Sequence, residues 1–127
     1  MPLNPALTVL IADDNALMRG MLALIVMEIG TAEILNAANG NDAVEIYRKR
    51  RPDVVFLDIQ MPVKDGLAAL KEIKQINADA HVIMVSSFGS AANVKTAIDA
   101  GANGFVVKPY NMNRILGVMK RYRAAVG

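Results

Sequence analysis

Four short apolar runs in this chain each end on a residue able to handle charge. Val9-Leu10-Ile11-Ala12 leads to Asp13-Asp14, Val54-Val55-Phe56-Leu57 to Asp58, Val82-Ile83-Met84-Val85 to Ser86, and Phe105-Val106-Val107 to Lys108. Runs of this length bounded by turn formers read as strands buried on both faces, the signature of a parallel sheet. Ligands of open parallel sheets bind in the crevice outside the carboxyl ends of the strands. As parallel neighbours, the four runs bring three carboxylates, one hydroxyl and one ammonium to a single rim, and that rim is where function is expected.

Between the runs the pattern alternates strand and helix with no linker, repeat or low-complexity stretch, which predicts one continuous (βα)5 unit. A first helix follows Asp14 and runs to about Ile29, stopped by Gly30. A second strand within Ala32 to Ala38 leads through Asn39-Gly40 to a helix from about Asn41 to Arg51, which Pro52 blocks. After the Asp58 strand, the turn formers of Gln60 to Gly66 make a loop before a helix from about Leu67 to Ile76. A helix from about Ala91 to Ala100 closes on Gly101, and the fifth strand reaches Lys108. The last helix carries Ile115, Met119 and Tyr122 on one stripe, with Arg114, Lys120 and Arg121 off it. Strand-helix-strand connections are right-handed, so this order predicts a doubly wound α/β sheet with helices on both faces.

The 127 residues fit one domain, and no second effector domain is expected within them. Although 54% of the chain is hydrophobic, no apolar run approaches the roughly 18 residues a membrane span needs. Met1-Pro2-Leu3-Asn4-Pro5 lacks the pattern of a secretory signal, and without cysteine there is no disulfide framework or thiolate zinc site. A cytoplasmic protein is expected, with no membrane partner. The net charge of +2 is small. The basic clusters Arg48-Lys49-Arg50-Arg51 and Lys120-Arg121-Arg123 lie near helix carboxyl ends, where the dipole favours cations, and no aromatics are interleaved with them. No direct nucleic-acid contact is expected.

Two carboxylates about 4 Å apart repel by roughly 4 kcal/mol at an effective dielectric near 20, so gathering Asp13, Asp14 and Asp58 calls for a cation. Magnesium suits the donor set, since it takes hard oxygen ligands from one or two carboxylates plus substrate phosphate. Zinc does not, because the one nitrogen ligand, His81, lies at the opposite end of its strand from Ser86 and reads as an exposed strand-start residue. Ser86 has a competitor in neighbouring Ser87, but it ends the apolar run directly.

Asp13-Asp14, Asp58-Ile59-Gln60-Met61-Pro62 with Asp65-Gly66-Leu67, Ser86, and Ala100-Gly101-Ala102 leading to Phe105-Val106-Val107-Lys108-Pro109 together resemble the receiver domain of bacterial two-component response regulators. The resemblance covers nearly the whole chain, with the motifs in the family's order. It implies a flavodoxin-like fold of strand order 2-1-3-4-5, a single receiver domain over 1–127 with its core at about 7–124, and no enzymatic activity beyond slow turnover of its own phosphoaspartate. It implies that Asp58 is the phosphoacceptor, taking a phosphoryl group from a histidine kinase, a phosphotransfer protein or a small phosphodonor. By the same resemblance Asp14, Asp58 and the Gln60 carbonyl ligate Mg2+, with Asp13 acting mainly through a water, while Ser86 and Lys108 contact the phosphoryl group. Ser86 and Phe105 would form the switch, although Phe105 lacks the hydroxyl of the tyrosine many relatives carry there. The face of helix 4, strand 5 and helix 5 would meet a downstream protein, the receiver being a monomer or weak dimer.

Two other classes share parts of the pattern. A dehalogenase-type aspartyl phosphatase needs a second acid two residues after its nucleophile, where this chain has Gln60. A flavodoxin-like cofactor binder needs a hydroxyl- and glycine-rich phosphate loop where Asp13-Asp14 stand. Within the receiver class, the alternative is the receiver part of a longer regulator with a DNA-binding or enzymatic output. Helix 1 is more apolar than a surface helix requires, so some of it is expected at the surface. Met18 and Met21 are expected in a docking surface for the kinase's helical bundle. Gln60 and Phe88, flanking the pocket, are expected to set the phosphoryl lifetime.

Overall fold

A computed structural model describes the backbone of residues 7–30 and 32–126; the segment Met1–Pro5, Gly127, and the side chains of residues 29, 32 and 123–126, Arg123 among them, lie outside the described residues. The elements alternate: β1 (Leu7–Ala12), α1 (Ala16–Ile29), β2 (Ala32–Ala37), α2 (Gly40–Arg50), β3 (Val54–Asp58), α3 (Gly66–Ile76), β4 (Val82–Ser86), α4 (Ala91–Asp99), β5 (Gly104–Val107) and α5 (Met112–Val126). All five strands are parallel, in the order β2-β1-β3-β4-β5. Among the described residues, no helix is long and apolar enough to cross a membrane.

Register explains why the strand runs are apolar throughout. One row across the sheet reads Ala37, Ala12, Leu57, Met84, Phe105. Its side chains join Tyr47, Leu70, Ile73 and Ala97 of α2, α3 and α4 in one core. The adjacent row places Ile11, Phe56 and Ile83 on the other face, against Leu22 and Val26 of α1 and Ile115, Val118 and Met119 of α5. Each such large side chain, fully buried, contributes about 1.5–3 kcal/mol.

The helices begin where side chains satisfy their free amides. Asn15 accepts from the amides of Leu17 and Met18, Asn39 from Asp42, Asp65 from Ala68, and Ser90 from Asn93. Two starts fall one residue earlier than expected, at Gly40 and Gly66, because both glycines complete a first turn pressed against another segment. A Cβ on Gly66 would lie 2.2 Å from the Asp58 carbonyl oxygen. The α3 amino end thus rests directly on the end of β3. The expected close at Gly101 is met with φ 106. Val63 heads a three-residue turn, with the Lys64 amide donating to the Pro62 carbonyl at 2.7 Å and φ 69, a conformation costly for a β-branched residue.

Candidate functional site

Because β1 and β3 are adjacent, their ends coincide, and Ala12 lies opposite Leu57 just before Asp13 and Asp58. Carboxylate oxygens of Asp13, Asp14 and Asp58 lie within 4.8 Å of one another. Lys108 follows β5 directly and reaches across the rim: its Nζ donates to Asp13 Oδ2 at 2.7 Å and to Asp58 Oδ2 at 3.1 Å. The peptide bond between Lys108 and Pro109 is cis. Asp13 and Asp58 are buried, whereas Asp14 is exposed at the mouth. A cavity of about 520 Å³ opens there, lined among others by Asp14, Asn15, Met18, Gln60, Ser87 and Lys108.

Burial raises the Asp58 carboxyl above its usual value, the Asp13 charge pushes the same way, and Lys108 and the Gln60 amide pull against both. Burial alone would lower the Lys108 ammonium, but its hydrogen bonds to Asp13 and Asp58 hold it above the usual lysine value. One ammonium is shared by two buried acids, so it stays charged while Asp58 bears the uncompensated cost. Three carboxylates and one ammonium leave a formal excess of two negative charges, and the ligand atoms are all hard oxygens. That donor set fits a divalent hard cation such as Mg2+.

The structure therefore brings together Asp13, Asp14, Asp58 and Lys108, with Gln60 beside them on the cavity wall. The hydroxyls divide differently from expectation. Ser86 is 2% exposed, its Oγ accepts from the Phe88 amide at 3.0 Å, and it is Ser87 that lines the cavity. Phe105 is buried in the core on the α4 side. Lys108 stands one residue past β5, directly after the apolar run Phe105-Val106-Val107. His81 corrects the sequence expectation of an exposed strand-start residue. It is half-buried, because Tyr122 of α5 lies edge-on to its ring with centroids 5.1 Å apart.

Several site residues had no place in the sequence expectations. Asn15 lines the cavity, and its amide donates to Asp13 Oδ1 at 2.9 Å; an asparagine heading an apolar helix was the available signal. Arg19 Nη1 donates to the Asp13 carbonyl at 2.5 Å, fixing the turn that bears the acids. Tyr110 is half-buried; its hydroxyl is raised by burial and further by the charges of Asp13 and Asp58. Nothing local in the sequence marks either Arg19 or Tyr110.

The response regulator receiver domain model matches residues 9–120. Chemotaxis protein CheY of Bacillus subtilis is 46% identical over 113 residues, covering 89% of this chain and 94% of that protein. CheY of Thermotoga maritima is 42% identical over the same shares of the two chains. Among solved structures, the CheX-CheY-BeF3-Mg2+ complex from Borrelia burgdorferi contains a similar chain, with TM-score 0.87 and 35% identity, covering 91% of this chain and 87% of that one.

Proposed function

The chain belongs to the response regulator receiver domain family, whose members are phosphoacceptor signalling switches, and on that premise we propose that Asp58 accepts the phosphoryl group. The donor is a phosphohistidine on a sensor histidine kinase or phosphotransfer protein, or a small phosphodonor, in the cytoplasm. The carrying observation is the rim itself: a buried Asp58 held by Lys108 at 3.1 Å, with two further carboxylates beside it.

In this reading an Asp58 oxygen forms the new P–O bond as the P–N bond of the phosphohistidine breaks, and the electron pair leaves with the imidazole. Asp58 is ionised at neutral pH despite its raised value, as a nucleophile must be. Lys108, shared between Asp13 and Asp58 beforehand, turns its charge to the phosphoryl oxygens. Phosphoryl transfer depends on such positioning and charge neutralisation more than on covalent help from the protein. Mg2+, held by Asp14, Asp58 and the Gln60 carbonyl with Asp13 acting through a water, would supply further positive charge to those oxygens. Ser86, whose Oγ accepts from the Phe88 amide, then donates its hydroxyl proton to a phosphoryl oxygen.

Phosphorylation adds about −1.5 to −2 charge, which shifts any equilibrium whose two states contact it differently. Ser86 and Phe105 are the switch pair, Phe105 acting through packing. The output face is α4, β5 and α5, and three large apolar side chains there, Ile98, Val107 and Met112, are exposed, which suits a protein partner. The kinase docks on α1, where Leu17, Met21, Leu24 and Met27 are exposed and Met18 lines the cavity mouth.

The test is incubation with acetyl phosphate and Mg2+ followed by intact-mass measurement. A phosphate-sized gain that requires both Mg2+ and Asp58, and is lost in Asp58→Asn, is expected; a gain that persists in Asp58→Asn refutes the assignment. Kinase docking is tested by Met18→Ser/Met21→Ser, which should slow transfer from the kinase and leave acetyl phosphate reactivity unchanged.

A further inference from the structure

At the amino-terminal edge of the sheet, opposite the acidic rim, a second cavity of about 530 Å³ lies among the ends of α2 and α3, the starts of β4 and β5, and Tyr122 of α5. Its volume falls in the range of small-ligand sites. It shares no residue with the cavity at the rim.

Arg51 closes α2 in the left-handed conformation, φ 45, where glycine carries least cost. Its guanidinium carbon lies 5.8 Å from the Tyr47 ring centroid. Among the described residues it makes no ion pair. The fold thus carries an arginine where a glycine would cap better, with its fork of donors on a cavity wall and unpaired among the described residues.

The other walls are also rich in donors. Among the described residues, Lys74 Nζ donates to two neutral acceptors, the Ala80 carbonyl and Asn103 Oδ1. Asn77 Nδ2 donates to the Tyr47 hydroxyl at 3.0 Å, which leaves that hydroxyl's own proton free. His81 Nε2 is buried with no partner among the described residues. The acids facing these groups are partly engaged: Asp53 Oδ2 accepts from the Thr8 amide at 2.8 Å, and Asp79 acts against the burial that lowers the Lys74 ammonium below its usual value. The carbonyl ends of α2 and α3 add negative field, so the positive excess is small and binding is weak.

We propose that this cavity is a second ligand site, taking a small phosphate or carboxylate oxyanion on Arg51, with Lys74, Asn77 and His81 as further donors. Arginine suits such anions because its fork donates two parallel hydrogen bonds.

The chain holds one histidine, so its imidazole proton resonances report this cavity without ambiguity. The experiment titrates the protein, without Mg2+, with inorganic phosphate and separately with succinate, against sodium chloride at equal ionic strength. Expected is a saturable shift of the His81 signals and a raised His81 pKa, since an adjacent anion favours the imidazolium. A response to phosphate alone assigns a phosphate-bearing ligand, and a response to both assigns oxyanions in general. Arg51→Gly should bind about tenfold more weakly while melting no lower than wild type, because glycine suits the cap; Arg51→Lys should be intermediate. Asp58→Asn, altered at the other rim and expected to be more stable without Mg2+, should keep the response. The site is refuted by no saturable shift with either anion, by an undiminished shift in Arg51→Gly, or by loss of the shift in a folded Asp58→Asn.

Discussion

Asp58→Asn should make the metal-free protein more stable, and the geometry sets the size of the gain. With oxygens within 4.8 Å, Asp13 and Asp58 repel by about 3.5 kcal/mol at an effective dielectric near 20. Exposed Asp14 adds about 1 kcal/mol after screening. Lys108 at 3.1 Å returns about 5 kcal/mol on the same scale. These nearly cancel, so desolvation decides the sign, and the Asp58 side chain is only 8% exposed. A net gain of about 2 kcal/mol follows, or roughly 7 °C in Tm for a domain of this size. The pH dependence has a definite direction. The folded state holds the Asp58 proton to higher pH than the unfolded state, whose value is near 3.8. Ionisation therefore costs stability as pH rises from 3.8 through the raised folded value, and the cost is absent below 3.8. The gap between variant and wild type should open as the pH rises through that window and close as the pH falls through it. Thermal melts followed by circular dichroism at pH 7 and pH 4 in EDTA, and at pH 7 with Mg2+, measure it, Mg2+ stabilising wild type more than the variant. A variant that melts below wild type at pH 7 in EDTA, or a gap that widens at pH 4, refutes the reasoning.

Lys108→Met leaves Asp13 and Asp58 buried without their ammonium and should cost about 3–5 kcal/mol in EDTA, partly recovered by Mg2+, as read from urea midpoints. Gly66→Ala forces a Cβ to within 2.2 Å of the Asp58 carbonyl oxygen, so a loss above about 2 kcal/mol and weaker Mg2+ binding are expected; an unchanged urea midpoint would show that the segment yields freely. Val63→Asn relieves a β-branched residue at φ 69 and should add about 0.5–1 kcal/mol, with no gain in Tm counting against strain there. Phe88, exposed beside the Ser86 turn, should hinder the water that attacks the phosphoaspartate; radiolabel loss is expected to be faster from Phe88→Ala, and equal rates reject that role.

What could be read from the chain follows from which forces are local. The strand runs were legible because a parallel strand covered on both faces must be apolar along its length, and the acids and Lys108 stand at the ends of such runs. Strand order came only from the resemblance, since periodicity is blind to which runs are neighbours. Ser86 illustrates the limit: ending the apolar run marked it, yet its hydroxyl holds the Phe88 amide and Ser87 lines the cavity, a matter of side-chain direction within one turn. His81 looked exposed because the residue that covers it, Tyr122, is far along the chain.

By itself, then, the sequence determined the alternation of elements and the chemical kinds of group at each strand end, because propensity, capping and apolar patterning act over a few residues. The tertiary structure alone decided that one ammonium bridges Asp13 and Asp58, that Arg19 braces the Asp13 carbonyl, and that Arg51, Lys74 and His81 share a cavity at the other edge. Those contacts join residues from separate elements, and their energies depend on distance and burial that exist only once the sheet has closed.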